Sequence, residues 1–521
     1  MKVTFSKAQA DPITTAKNQD SVVIPVFKNG DLGLAATALN LGLGNFLEQQ
    51  IAFNDGFADE AGNVLVINSN DTAKPQKFIL VSTGQDITER AYDEKTISQV
   101  AKAMWAKLSQ KEYGALYCVE DFNSCADDFA LTSRLADMIN REDYAFDKYK
   151  SEKDSGGALD MIFETDNASE TAAHYADLSA VTEAQKWAKD LTNEPSNKLY
   201  PANYADQIKD KLEPLGIKVT ILDDKELLNM GAGAISAVGQ GSADEYKPRM
   251  VVLEYDGTNG QQARPLGLIG KGVTHDSGGL NIKTKGMEQM HIDMGGSAAM
   301  VGTMMAAAQR KANVNVVAIV GLAKNDVDAN AYVPGDIITS LSGQTIHIGN
   351  TDAEGRLVMA DCMTYMQREF DPETIIDAAT LTGAVVSVLG PLYAGVFTPD
   401  DDLWSGLEKA GEDSQEKGWR LPLHKIFEKA MKGDRSDLTN LSTLGYGGAS
   451  TAAEFLKNFV EEDSAGEKRK WAHLDIAGAA WPAAGMANGF GVRWLDRFIR
   501  NNYETAVPGK LQAQAPAKPS P

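Results

Sequence analysis

Apolar residues follow two rhythms in the first third of the chain. Residues 21–27 (Ser-Val-Val-Ile-Pro-Val-Phe) and 78–82 (Phe-Ile-Leu-Val-Ser) are short apolar runs closed by turn residues, as expected of buried strands. Residues 98–108 keep helical spacing, and 115–119 (Ala-Leu-Tyr-Cys-Val) return to the strand pattern. The acidic, Gly-containing stretch 151–158 resembles a linker, but 159–163 (Leu-Asp-Met-Ile-Phe) reads as one more strand of the same domain. Such alternation predicts a parallel sheet with helices on its faces. A long helical run over 172–191 then bridges to a second region. There, strand patterns at 250–254, 266–269 and 316–320 alternate with helices. The expected division is an α/β domain over 1–170, a linking helix over 171–191 and a larger α/β domain over 192–507. The Pro-, Ala-, Gln- and Lys-rich stretch 508–521 is expected to be a disordered tail. No internal repeat is visible.

A chain of 521 residues exceeds what one hydrophobic core usually holds, which supports two domains. At 43% hydrophobic and 23% charged, the composition is that of an ordinary globular protein. No run approaches the roughly 18 apolar residues of a membrane span. The first residues, Met-Lys-Val-Thr-Phe-Ser-Lys-Ala-Gln-Ala-Asp, lack the apolar core of a signal peptide. Cys118, Cys125 and Cys362 offer no paired framework and no C-x-x-C, which suits a reducing cytoplasm. The net charge of −22 opposes approach to nucleic acid.

The densest chemistry lies at 350–356, Asn-Thr-Asp-Ala-Glu-Gly-Arg. If this run is extended, Asp352, Glu354 and Arg356 project from one face. Two carboxylates so placed repel unless a cation separates them, and a divalent ion does that best. A second cluster spans 268–296, where Lys271, Asp276, Lys283 and Asp293 stand among apolar and glycine neighbours. Charges in such surroundings are seldom buried unpaired. The two lysines can neutralise two of the acids. With Asp352 and Glu354 added, four carboxylates face two ammonium groups and one guanidinium. That surplus of acceptors suits two divalent cations.

Other signals carry less. Gly231-Ala232-Gly233, with Gly239 and Gly241, lacks dinucleotide-fingerprint spacing, and Gly270-Lys271-Gly272 has no Ser or Thr after its lysine. Cys362 fits core packing, and Ser277 shows no Ser-His-Asp order. The six histidines (His174, His275, His291, His347, His424, His473) form no i, i+4 pair.

The two charged clusters resemble the signature of the leucyl aminopeptidase (cytosol aminopeptidase) family of dinuclear zinc exopeptidases. The run at 350–356 matches that family's hallmark without a substitution. Further matches are Leu191-Thr192-Asn193-Glu194-Pro195-Ser196-Asn197, Gly239-Gln240-Gly241-Ser242 and Tyr332-Val333-Pro334-Gly335-Asp336. Ala379-Thr380-Leu381-Thr382-Gly383-Ala384 and His473-Leu474-Asp475-Ile476-Ala477-Gly478 complete the series, in order, over roughly 180–500. The resemblance implies an N-terminal α/β domain followed by a larger α/β catalytic domain with a mixed central sheet.

It also implies site roles. Asp276 and Glu354 would bridge two divalent ions, zinc or manganese, with magnesium or cobalt as substitutes. Lys271 and Asp293 would complete the tighter site and Asp352 the more exchangeable one. Lys283 would stabilise the oxyanion, and Arg356 would hold a bicarbonate acting as general base. Thr380, Leu381 and Gly383 would bind the substrate, and Met287 or Met290 with Ala477 would line an apolar pocket for its first residue. His275 and His291 depart from the family pattern, where phenylalanine and lysine are common; both are expected near the ions as pocket-lining residues. His473 belongs to a stretch that in the family lies near the substrate pocket and a subunit contact. The expected partners are peptides with a free N-terminus and further copies of the chain in a homohexamer. Two alternatives remain on the residues themselves: a two-metal phosphoesterase, and a DNA-binding regulator of the kind some bacterial relatives become.

Overall fold

The computed structural model describes residues 1–7, 20–68, 77–87, 94–109, 115–119, 129–153, 159–481 and 485–504. Cys125, residues 154–158 and the tail at 508–521 lie outside these. The chain divides into two compact units, with the division between Thr182 and Glu183. That point falls inside the helix Ala168–Asn193, whose core the helical spacing over 172–191 predicts.

In the first unit the described residues form a six-stranded sheet. Its strands are β1 (Lys2–Ser6), β2 (Ser21–Val26), β3 (Val64–Asn68), β4 (Lys77–Ser82), β5 (Leu116–Cys118) and β6 (Asp160–Glu164). They lie in the order β1-β6-β5-β2-β4-β3, all parallel except the antiparallel pair β3–β4. Both faces are buried. Val22, Ile24 and Val26 of β2 join one apolar cluster with Phe78 and Leu80, whereas Val23 joins another with Ile79 and Val81. Burial on both sides explains why these strands read as unbroken apolar runs. β1 is less apolar and partly exposed, and its sequence pattern does not identify it as a strand; β3 is an apolar run, Val-Leu-Val-Ile-Asn, on a partly exposed edge of the sheet.

The second unit begins at Glu183. Its strands are β7 (Lys218–Leu222), β8 (Arg249–Asp256), β9 (Leu266–Asp276), β10 (Asn315–Asn325), β11 (Ile337–Thr339) and β12 (Thr345–His347). They continue with β13 (Thr374–Ala379), β14 (Ala394–Phe397), β15 (Gly418–Arg420), β16 (Leu438–Thr439) and β17 (Lys470–Asp475). Eight of these form a mixed sheet in the order β15-β14-β17-β13-β9-β10-β8-β7. The central strands β17, β13, β9 and β10 are parallel, and antiparallel pairings flank them. β11, β12 and β16 make a separate small sheet. The helices Gly295–Gln309 and Gly355–Phe370 are almost wholly buried, with Leu357, Val358, Cys362 and Met363 in the main apolar cluster. Cys118 and Cys362 are buried free thiols.

Candidate metal centre

The site is assembled at the C-terminal end of β9. Lys271 and Asp276 are five residues apart, so regular alternation would send them to opposite faces. A bulge prevents this. Val273 pairs with Ala323 and Asp276 with Asn325, so three steps on β9 span two on β10. The extra residue reverses the alternation and brings Asp276 to the side of Lys271. The chain then turns through Gly278 (φ +86°) and Gly279 (φ +60°), both in the left-handed region. The amide of Lys283 closes the turn on the Ser277 carbonyl at 2.9 Å, returning its side chain over Asp276. A short 3-10 helix, Met287–Ile292, ends at Asp293, whose carbonyl accepts from the Val273 amide at 3.2 Å. Asp293 is thereby docked beside Lys271.

The hallmark run is not an extended strand. Residues 351–352 form a turn, and the helix Gly355–Phe370 starts directly after Glu354. Arg356 therefore lies in the first helical turn, and convergence arises from turn and helix entry rather than strand alternation. Two residues that the sequence pattern does not single out, Asn325 and Asn440, hold the turn together with Tyr332 of a family-matching run. Asn325 donates to the Thr351 carbonyl at 3.0 Å, and the Tyr332 hydroxyl donates to the same oxygen at 2.7 Å. The buried amide of Asn440 reaches Gly349, Asn350 and Ala353. No local motif marks Asn325 or Asn440, because each meets its partner only through the tertiary fold.

The charges interlock. Lys271 Nζ lies 2.7 Å from Asp293 Oδ1 and 2.9 Å from Glu354 Oε1, and it donates to the Thr380 carbonyl at 3.0 Å. Lys283 Nζ lies 2.7 Å from Asp276 Oδ2 and also pairs with Asp352. Burial disfavours the Lys271 charge, but Asp293, Glu354 and Asp276 outweigh it and hold the ammonium above its ordinary value. Burial pushes the Asp293 carboxyl up, with Lys271 opposing. Burial likewise draws Arg356 down to about 10, against Glu354 and Asp475. Two carboxylate oxygens, Asp293 Oδ2 and Glu354 Oε2, are buried without a hydrogen-bond partner. Ligand atoms of Asp276, Asp352 and Glu354 lie within 4.8 Å of one another. Asp293 stands one lysine away from that trio. A divalent cation suits this oxygen-rich set, whose orphaned acceptors are costly in a buried site.

The loop after β13 carries the residues expected to meet substrate. Thr380 Oγ1 donates to Asp293 Oδ1 at 2.9 Å. Asp475, at the end of β17, accepts from the Leu381 amide at 3.1 Å, the Ala477 amide at 3.3 Å and the Thr382 hydroxyl at 2.6 Å. The structure thus brings Leu381 and Ala477 together through one carboxylate. Gly383 is exposed at the start of the helix Gly383–Leu389, while Met287 and Met290 are half-buried on their 3-10 helix. His275 and His291 join no ligand cluster among the described residues. Burial keeps both imidazoles below their ordinary value, and His291 meets Trp481 edge-on at 5.4 Å. His473 belongs to the core: it is fully buried in β17, pairs with Asp377 of β13 and stacks on Phe397.

Residues 186–495 match the catalytic domain of the cytosol aminopeptidase family, and residues 23–153 match that family's N-terminal domain. The chain belongs to the cytosol aminopeptidase family. A probable cytosol aminopeptidase of Rickettsia bellii is 38% identical over 510 residues, covering 94% of this chain and 99% of the relative. One of Methylorubrum populi is 39% identical over 510 residues, covering 95% and 98%. One of Rickettsia massiliae is 44% identical over 460 residues, covering 85% and 89%. A cytosol aminopeptidase is a metal-dependent hydrolase of peptides, and neither the phosphoesterase nor the DNA-binding alternative gains support from these matches. Among the described residues no helix is long and apolar enough to cross a membrane.

Proposed function

We propose that this aminopeptidase is dinuclear, acts in the cytoplasm as a homohexamer, and releases Leu and other apolar residues from the free N-terminus of peptides. The observation that carries the dinuclear reading is the surplus of buried acceptors, with Asp293 Oδ2 and Glu354 Oε2 lacking partners beside the Asp276, Asp352 and Glu354 trio. Asp276 and Glu354 would be shared between the two ions, Lys271 and Asp293 would help hold one, and Asp352 would help hold the other. Zinc or manganese are the expected occupants, with magnesium or cobalt admitted by the hard oxygen donors. Two such ions supply a water acidified to react near neutral pH and an electrophile for the scissile carbonyl.

The chain's own groups provide the rest. Lys271 must offer its Nζ as a neutral amine to serve as a ligand, giving up the proton that Asp293 and Glu354 favour. Lys283, less buried than Lys271, has an ammonium to donate to the oxyanion as the carbonyl becomes tetrahedral. Arg356 keeps its Nε without a partner and a positive charge suited to holding bicarbonate as the general base. The family resemblance assigns main-chain groups of Leu381 and Gly383 to align the peptide backbone; Asp475 occupies the Leu381 amide, which leaves the carbonyl of that residue for the role. Met287, Met290 and Ala477 supply apolar surface for the first side chain.

The test compares leucine p-nitroanilide with its N-acetyl derivative. A role for the free α-amine at the metal centre requires the first to be cleaved and the second to be nearly inert. Chelation should abolish the activity, and Mn²⁺, Co²⁺ or Zn²⁺ should restore it. Equal turnover of the two substrates, or full activity in metal-free protein, would overturn this reading. Sedimentation equilibrium tests the hexamer.

A further inference from the structure

The small sheet of β11, β12 and β16 brings a distant asparagine against the hallmark turn. Ile346 pairs with Leu438 and His347 with Thr439, so Asn440 leaves β16 alongside the stretch that follows β12. Its main-chain amide donates to the His347 carbonyl at 3.0 Å. Its side chain is fully buried. Oδ1 accepts from the amides of Gly349 at 2.8 Å and Asn350 at 3.2 Å. Nδ2 donates to the carbonyls of Asn350 at 2.6 Å and Ala353 at 3.3 Å. Both donors of the turn meet the oxygen and both acceptors meet the nitrogen. Only a primary amide matches that pattern: a carboxylate has no hydrogen to give, and a hydroxyl has one. The main-chain carbonyl of Asn440 accepts from Arg356 Nη1 at 2.8 Å.

We propose that Asn440 is a positioning residue for the metal centre, locking the turn that carries Asp352 and Glu354 and the guanidinium of Arg356 into one frame. The proposal rests on the reading of Asp352 and Glu354 as metal ligands. The turn has no ladder of its own, so the asparagine amide satisfies main-chain groups that a neighbouring strand would otherwise satisfy. Removing the amide leaves the Gly349 and Asn350 amides and the Ala353 carbonyl to find new partners, while the Asn350 carbonyl keeps the Ala353 amide at 3.3 Å, and the neighbouring carboxylates lose their fixed aim. The Arg356 bond uses the Asn440 main chain, so substitution disturbs it only through movement of that backbone.

The experiment uses full-length Asn440→Ala and Asn440→Asp, with two independent readouts. Chelator-treated protein is titrated with Mn²⁺ in a calorimeter, and kcat and KM are measured on leucine p-nitroanilide. Asn440→Ala should bind Mn²⁺ about 10–100-fold more weakly and lose kcat by a similar factor, as changes to the groups that orient metal ligands do, with KM little altered. Asn440→Asp keeps the bonds from Gly349 and Asn350 and should fall between Ala and the native residue. If Asn440→Ala does not fold, weaker Mn²⁺ binding by folded Asn440→Asp supports the same positioning role, and native binding by it refutes that role. A variant that melts earlier yet binds Mn²⁺ and turns over like the unsubstituted protein would reduce Asn440 to a structural role and overturn the proposal. Should the unsubstituted protein bind Mn²⁺ without cleaving the anilide, the peptidase reading fails while the calorimetric arm still tests Asn440.

Discussion

Asn325 grips one oxygen of Asp276 and leaves the other to the site. Its Nδ2 donates to Oδ1 at 2.8 Å, the Gly278 amide donates to the same atom at 2.9 Å, and Oδ2 faces Lys283 at 2.7 Å. A carboxylate held in this way presents a single aimed oxygen to a cation. Asn325→Ala should therefore weaken metal binding by about 10–100-fold. Asn325→Asp, which sets a second negative charge against Asp276, should perturb the site more than Ala does. Metal content after dialysis against buffered Mn²⁺ checks this, and native occupancy in both variants would refute it.

Gly355 is the place where one methyl group should matter most. A Cβ there would stand 2.4 Å from Lys271 Cε and 2.6 Å from its Nζ. Alanine is the better helix former, so the helix itself gains. Lys271 cannot swing aside freely, because its Nζ is bonded to Asp293, Glu354 and the Thr380 carbonyl. Gly355→Ala should fold with near-native circular dichroism and lose most activity and metal affinity. Full activity would mean that Lys271 does not hold the position assigned to it.

Lys283 and Asp276 should separate into two kinds of variant. If Asp276 and Glu354 hold both ions as proposed, Asp276→Ala and Glu354→Ala should cost metal occupancy as well as rate. Lys283→Ala removes an ammonium that pairs with Asp276 and Asp352 here and is proposed to meet the oxyanion; bound ions would neutralise those carboxylates in its place, so they should stay bound while kcat falls. Loss of metal from the Lys283 variant with retention by the Asp276 variant would reverse the roles.

Away from the site, Asp496 ties the end of the helix Gly295–Gln309 to the helix Val492–Asn502. It pairs with Arg310 at 2.5 Å and Arg500 at 2.7 Å. Burial opposes its charge, but the two arginines outweigh that and lower Asp496 from 3.8 to about 2. The folded value lies below the unfolded one, so the stabilisation is complete above about pH 4 and fades as pH falls towards 2. A shift of that size corresponds to roughly 2 kcal/mol. Urea unfolding of Asp496→Asn against the native chain should show a stability gap at pH 6 that narrows below pH 4. A gap independent of pH would exclude the linkage.

The strands buried on both faces were legible because continuous apolar runs such as 21–27 and 78–82 have few other uses. β1 escaped because partial exposure dilutes its pattern. The charged residues of the site were legible for a similar reason: lysines and aspartates among glycines and aliphatic residues demand partners, and the family hallmark names them. Extended geometry for 350–356 was the wrong local picture, although the convergence it was meant to explain is present.

Sequence alone pointed to divalent-cation chemistry, because four carboxylates outnumber three cationic side chains within two short segments, and the family hallmark at 350–356 marked that chemistry as a peptidase's. Tertiary structure decided the aim of each group. The bulge between Val273 and Asp276 reverses strand alternation, and it is defined only against β10. Asn325 stands 49 residues from Asp276, and Asn440 stands 90 from Asn350. An amide side chain has no preferred partner until folding brings unsatisfied backbone groups within reach, so no reading along the chain could assign either residue its role.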